Sequence, residues 1–325
     1  MATTKPSGTD DDQLWRDYLE TGIKALNGGN LHLAEVALLD SLKHTGSNGG
    51  STYHVEQSLE LLGELAARIY FENEEERAVQ LCEQILQIGY PILGGQNSAV
   101  YTAACLLADR YFDLEQEQST TPKQAVLEEL AQILSQAGQV VMYEDAEMVG
   151  NGLYMLASLY YSSEQYATAE RLVRQTLALR QIAPPQLQAA LIQDYELFVN
   201  TLCWQSKFEE AERAAGEWMA LARDVPQSGE GEETPVRDGR ELYLAQIYLT
   251  QGEIYRMMER PEEAEPAYQH AIKLHEAERC DDCSEMAAIL RAYARFLQAN
   301  SRADEAHRML RRAGRINDDS EDVLS

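Results

Sequence analysis

The chain has 325 residues, 45% of them hydrophobic, with a net charge of −27 and a pI near 4.5. So acidic a balance argues against non-specific binding to nucleic acid or anionic membrane, whose phosphates are held through Lys and Arg. No apolar run approaches the roughly 18 residues needed to span a bilayer. The opening MATTKPSGTDDDQ has neither an apolar core nor a basic amphipathic pattern, so no signal or transit peptide is expected and the protein reads as cytoplasmic.

Taken in order, residues 1–12 are polar and acidic and are expected to be disordered. A first helix follows from about Gln13 to Leu26, stopped by Asn27-Gly28-Gly29-Asn30, and the next helix carries Ala34, Leu38 and Ser41 at helical spacing. After the polar HTGSNGGST, Leu62, Leu65-Ala66 and Ile69 are answered by Ala78, Cys82 and Ile85, with Pro91 closing the unit. A third pair opens on Ala104, Leu107-Ala108 and Tyr111, is stretched from Gln116 to Lys123, and resumes at Ala125. The fourth shows Leu153, Leu156-Ala157, Tyr160, Tyr166, Ala169 and Val173. The fifth shows Tyr195, Phe198-Val199, Leu202, Phe208, Ala211, Ala215 and Trp218. A Pro/Gly/Glu-rich stretch, RDVPQSGEGEETPVRDG, separates it from the sixth. There Tyr248, Gln251-Gly252 and Tyr255 lead through Arg260-Pro261-Glu262-Glu263 to Ala264, Tyr268 and Ala271. Pro261 takes a first-turn position, where its missing N–H costs nothing. A seventh pair contains Leu290, Tyr293-Ala294, Leu297, Ala306, Leu310 and Ala313.

This recurring aromatic, Leu-Gly, Tyr, then Ala, aromatic, Ala pattern resembles the tetratricopeptide repeat (TPR). The first alanines of the second helices stand 78−34=44, 125−78=47, 169−125=44, 211−169=42, 264−211=53 and 306−264=42 residues apart. Intervals near 42 resemble the long repeats of kinesin light chain. The resemblance implies an all-α, right-handed TPR-type α-solenoid of about seven helix-turn-helix repeats. It would occupy residues 13–316 as one array, with inserted loops near 44–52, 114–124 and 223–239 and an acidic tail at 317–325.

In TPR proteins the first helix of each repeat lines a concave wall. Carried onto matching positions, that wall would contain Arg16, Glu60, Asp109, Asn151, Tyr154, Ser158, Tyr161, Gln193, Glu196, Asn200, Gln246, Glu253, Arg256, Arg291 and Arg295. Asn and Gln side chains there suit the backbone of an extended peptide, and Tyr154 and Tyr161 its apolar side chains; the alternative is that they simply face water. The Lys/Asn clamp by which some TPR chaperone cofactors hold a terminal carboxylate is not recognisable.

Arg291, Arg295, Arg302, Arg308, Arg311, Arg312 and Arg315 make the carboxyl end locally basic. Arg291 and Arg295 share a helix face and with Arg256 would suit an acidic or phosphorylated ligand. The bland alternative pairs these arginines with neighbouring helices or with the tail residues Asp318, Asp319, Glu321 and Asp322. His275, Cys280 and Cys283 offer three zinc-type ligands but neither a fourth nor a second pair, so a loop with reduced thiols is the simpler reading. Neither GxxxxGK[ST], HExxH nor G-x-S-x-G occurs. The expectation is therefore a non-enzymatic adaptor without cofactor or metal that binds an extended segment of another protein. The alternative is a regulatory TPR protein that senses a ligand or peptide and controls a partner enzyme by conformational change.

Overall fold

The computed structural model describes residues 8–45, 52–117, 123–181, 188–224, 240–277 and 284–322. They form fourteen α-helices and no strand. The chain divides into two compact units, Met1–Pro184 and Pro185–Ser325. The first holds α1 (Gly8–Asn27), α2 (Leu31–Lys43), α3 (Thr52–Phe71), α4 (Glu75–Leu93), α5 (Ser98–Gln116), α6 (Gln124–Ala137), α7 (Tyr143–Ser162) and α8 (Tyr166–Gln181). The second holds α9 (Gln188–Trp204), α10 (Phe208–Asp224), α11 (Arg240–Met257), α12 (Pro261–Ala277), α13 (Ser284–Ala299) and α14 (Ala303–Asp322). Each odd helix packs on the even helix that follows it, giving four helix pairs in the first unit and three in the second.

The pairing follows from the small side chains at the crossings. Ala34, Ala78, Ala169, Ala211, Ala264 and Ala306 are fully buried, as they must be where antiparallel helices approach to about 8–10 Å. Gly252 serves the same purpose on α11, since a Cβ there would lie 3.0 Å from the ring of Tyr268 on α12.

The reversal between paired helices is built alike in six of the seven pairs. Gly29, Asn73, Glu164, Ser206, Glu259 and Ser301 each adopt a left-handed backbone, with φ between 57 and 74°. Around Glu164, its own N–H donates to the Tyr161 carbonyl at 3.0 Å and the Gln165 N–H to Tyr160 at 2.8 Å. The same two bonds recur at Ser206/Lys207, Glu259/Arg260 and Ser301/Arg302, which is the Schellman closure of a helix.

Four boundaries differ from the sequence reading. Helix α1 begins at Gly8, so residues 8–12 are helical rather than disordered; residues 1–7 lie outside the described ones. Asp11 and Asp12 sit near its N-terminus, where the helix dipole favours carboxylates, and approach His44 at 3.5 Å and His54 at 3.8 Å. Pro91 does not end its unit. It stands in the last turn of α4, where it removes a single ladder bond, and the stop comes at Gly94 with φ 77°. Ala125 is exposed, and the residue three places into α6, matching Ala169 in α8, is the buried Leu127. The affected intervals become 127−78=49 and 169−127=42, which places the whole insertion ahead of α6. Finally, α14 runs to Asp322, so residues 317–322 are helical rather than a tail.

Among the described residues, no helix is long and apolar enough to cross a membrane.

Candidate functional site

In the amino-terminal unit, α3, α5 and α7 lie side by side as the first helices of consecutive pairs. Their register rises together. The Tyr101 hydroxyl of α5 donates to Asp145 of α7 at 2.9 Å, and one turn on, Cys105 Sγ meets the Met148 carbonyl at 3.5 Å. Gly152 makes the approach possible, because a Cβ would stand 2.9 Å from Leu134 and 3.1 Å from Cys105 Sγ.

Between these helices opens a groove of about 340 Å³. Helix α3 gives it Ala67 and Phe71, and α5 gives Thr102, Cys105, Leu106 and Asp109. Glu147, Met148, Asn151, Gly152 and Met155 come from α7. Thr102 to Asp109 and Glu147 to Met155 are stretches of seven and eight residue steps, or about 10–12 Å along a helix, the length of three or four extended residues. With the helices in register, Glu147 marks one end and Asp109 the other, and the floor between them is apolar. Phe71 is 79% exposed, a large aromatic ring held at the groove with little of its surface covered.

The polar atoms of the groove are partly committed. Asp109 accepts a 2.7 Å bond from the Tyr70 hydroxyl, whose titration is pushed up by burial and by that carboxylate. One turn further along α5, desolvation and Asp109 raise Asp113 above the usual carboxylate range. Burial likewise holds the Cys105 thiol protonated and inert. Asn151 Oδ1 accepts from Arg180 Nη2 at 2.8 Å. An arginine can only donate, so Asn151 keeps its two amide hydrogens for other acceptors. No lysine or arginine lines the groove among the described residues.

Of the wall residues expected in this unit, Asp109 and Asn151 line the groove, whereas Tyr154, Ser158 and Tyr161 do not. Tyr161 instead packs edge-on against Tyr166, ring centroids 5.5 Å apart. Arg16 and Glu60 are exposed elsewhere on α1 and α3. Phe71, Leu106, Met148 and Met155 line the groove without standing at the family positions carried onto the sequence. The available signal was Met148, Asn151 and Met155, which share one face of α7.

In the carboxy-terminal unit, Gln246 Nε2 donates to Glu196 at 3.3 Å. Burial raises the Glu196 carboxyl and that bond opposes the shift. Both residues face a recess of about 480 Å³ that also receives Tyr243, His275 and Glu285. Gln193 is exposed and Asn200 half-buried on the same helix, α9. His275 is buried, with Nε2 3.5 Å from Glu285. Cys280 and Cys283 lie outside the described residues, among which no cluster of three metal-type ligands occurs.

The arginines near this end meet carboxylates on their own and on neighbouring helices. Arg256 grips Glu253 through Nε at 3.1 Å and Nη2 at 2.7 Å, Arg295 stands 3.8 Å from the same carboxylate, and the Tyr268 hydroxyl donates to it at 2.8 Å. Arg302 bridges Glu265 and Glu305, and Arg312 reaches Glu276. Glu253 thus neutralises the place where Arg256 and Arg295 were expected to hold an anion, and Arg291 remains an exposed cation on α13.

Residues 153–183 and 243–317 each match a tetratricopeptide-repeat family model. Among solved structures the chain resembles the apo form of RapI, at 12% identity and TM-score 0.55, covering 94% of this chain and 77% of that one. It also resembles BtubC (BKLC) from P. vanneervenii, at 14% identity and TM-score 0.51 over 77% and 90% of the two chains. Aspartyl phosphate phosphatase F from Bacillus subtilis gives 13% identity and TM-score 0.51 over 100% and 78%. TPR-like repeats assigned to kinesin light chain in Podosopora anserina are 16% identical, with TM-score 0.49 over 67% and 95%. At such identities the likeness is one of fold. Among curated proteins none matches the chain.

Proposed function

We propose that this chain, a tetratricopeptide-repeat protein whose repeat signatures match over residues 153–183 and 243–317, is a non-enzymatic scaffold that holds an extended segment of a partner protein. The groove of α3, α5 and α7 carries the reading. It is open, apolar along its floor, and about as long as a few extended residues. Phe71, Met148 and Met155 would receive apolar side chains, and thioethers adapt to different shapes. Asn151 would donate to the segment's backbone carbonyls. Asp109 and Glu147, at opposite ends of a groove that no cation lines among the described residues, favour a segment whose apolar residue is flanked by Lys or Arg. The thiols Cys82 and Cys105, buried among apolar side chains and unpaired, suit a cytoplasmic setting.

The test is selection of binders from a random peptide library displayed on phage, on the wild type and on Phe71→Ser/Met155→Lys. Selected peptides should share an apolar residue between basic ones and should lose the variant. Peptides retained equally by both proteins, or the absence of any enriched sequence, would remove the groove as the binding site.

A further inference from the structure

The carboxy-terminal unit contains a second cavity, of about 280 Å³, between α10, α11 and α12. Three basic side chains reach it: Arg223 from α10, and His270 and Lys273 from α12. Tyr248 of α11 joins them, and Leu244 and Leu274 supply apolar wall. Arg223 and Lys273 bring two cations to this cavity in a chain whose acidic residues outnumber Lys and Arg 54 to 27.

The side chains are oriented by one another. Arg223 Nη2 lies 3.4 Å from the Tyr248 hydroxyl oxygen, which as acceptor keeps its own proton to donate. The Tyr248 ring stacks on His270 with centroids 5.1 Å apart and planes 24° from parallel. His270 Nδ1 is 2.8 Å from the Pro266 carbonyl. A carbonyl can only accept, so Nδ1 carries a proton and the ring is fixed with Nε2 as its remaining polar atom, which donates to an oxyanion when the ring is in its imidazolium form. The dipole of α10 accounts for Arg223 in its last turn. It does not account for Lys273 and His270, which precede the end of α12 at Ala277 by a turn or more.

We propose that this cavity is a binding site for a small organic oxyanion, a phosphate or carboxylate group carried on an apolar body. The oxyanion would take charge-assisted bonds from Lys273 and Arg223 and a proton from the Tyr248 hydroxyl, while the apolar body lies against Leu244 and Leu274. The site is separate from the peptide groove and does not depend on it.

The experiment is calorimetric titration of the full-length chain with phenyl phosphate, benzoate, inorganic phosphate and the neutral benzyl alcohol, on the wild type, Lys273→Met and His270→Gln/Lys273→Gln. Both positions are exposed, and circular dichroism checks that the variants fold. Phenyl phosphate or benzoate should bind saturably and more tightly than inorganic phosphate, with benzyl alcohol showing no binding. Whichever of the two binds more tightly names the headgroup. Lys273→Met should weaken that binding about tenfold, and the double variant more. Equal affinity in the wild type and the folded variants, or no saturable binding of either organic anion, would overturn the site.

Discussion

At the scale of single residues, the buried alanines limit how much the fold tolerates. Ala264 sits against Tyr268, Phe296 and Leu297, with Leu249 and Tyr255 at the edge of the same cluster. Tyr268, Tyr293 and Phe296 stack on one another there at 5.4–6.1 Å between centroids. None of these rings can withdraw without exposing another, so Ala264→Leu should overpack the crossing and cost about 1–3 kcal/mol in urea unfolding. An unchanged midpoint would mean that α11 and α12 are not in close contact. Six such alanines were legible in the sequence because each faces a partner helix at the same point of its repeat. Ala125 misled because the insertion before α6 displaced the alanine from that point. Phe71 was not legible as a site residue at all: it closes α3 beyond the repeat motif, and only the neighbouring helices show that it borders a groove.

Turns belong to the scale of elements. Five of the six described reversals place a residue with a Cβ in the left-handed region, where an L-residue is strained by roughly 1–2 kcal/mol. Glu164, with φ 60°, is exposed at such a turn. Glu164→Gly should therefore stabilise the protein by about 0.5–1 kcal/mol once glycine's greater freedom in the unfolded chain is deducted. The readout is a higher urea midpoint at unchanged slope, and a lower midpoint would contradict the turn geometry. The helices themselves were legible from apolar spacing. Their shared closure was not, since Asn, Glu, Ser, Glu and Ser at the turn residue carry no common side-chain signal. The common feature is a pair of backbone hydrogen bonds, which the side chains do not encode. Charge pairing was legible only in part: Glu253 precedes Arg256 by three residues on α11, but only the packing of α11 against α13 brings Arg295 to the same carboxylate.

Across the whole molecule, buried and half-buried phenols fasten neighbouring helices to one another. Tyr70 donates to Asp109 and Tyr101 to Asp145 in the first unit. In the second, Tyr195 donates to Glu217, Tyr268 to Glu253 and Tyr293 to Glu265. Burial is the main reason that each holds its proton more firmly than free tyrosine, with Tyr195 pushed up to about 12. Unfolded tyrosine ionises near pH 10, so above that pH the folded chain binds more protons than the unfolded one and stability falls as pH rises. The contribution is complete below about pH 10 and declines as pH rises above it, that of Tyr195 being lost toward pH 12 and those of Tyr70, Tyr101 and Tyr268 at higher pH, with a shallower decline in Tyr195→Phe. A urea midpoint that stays flat from about pH 9 to 11 would contradict this. The reach of the bonds between successive helix pairs matters in another way. They join residues about one repeat apart, 42 for Arg77 and Glu35, 44 for Tyr101 and Asp145, and 37 for Arg302 and Glu265. Mechanical load pulled through either unit is then borne by one seam at a time. Such a stack yields by peeling from its free end, and the pairs still inside keep their shape, so stretching dissipates work in small successive steps rather than in a single rupture.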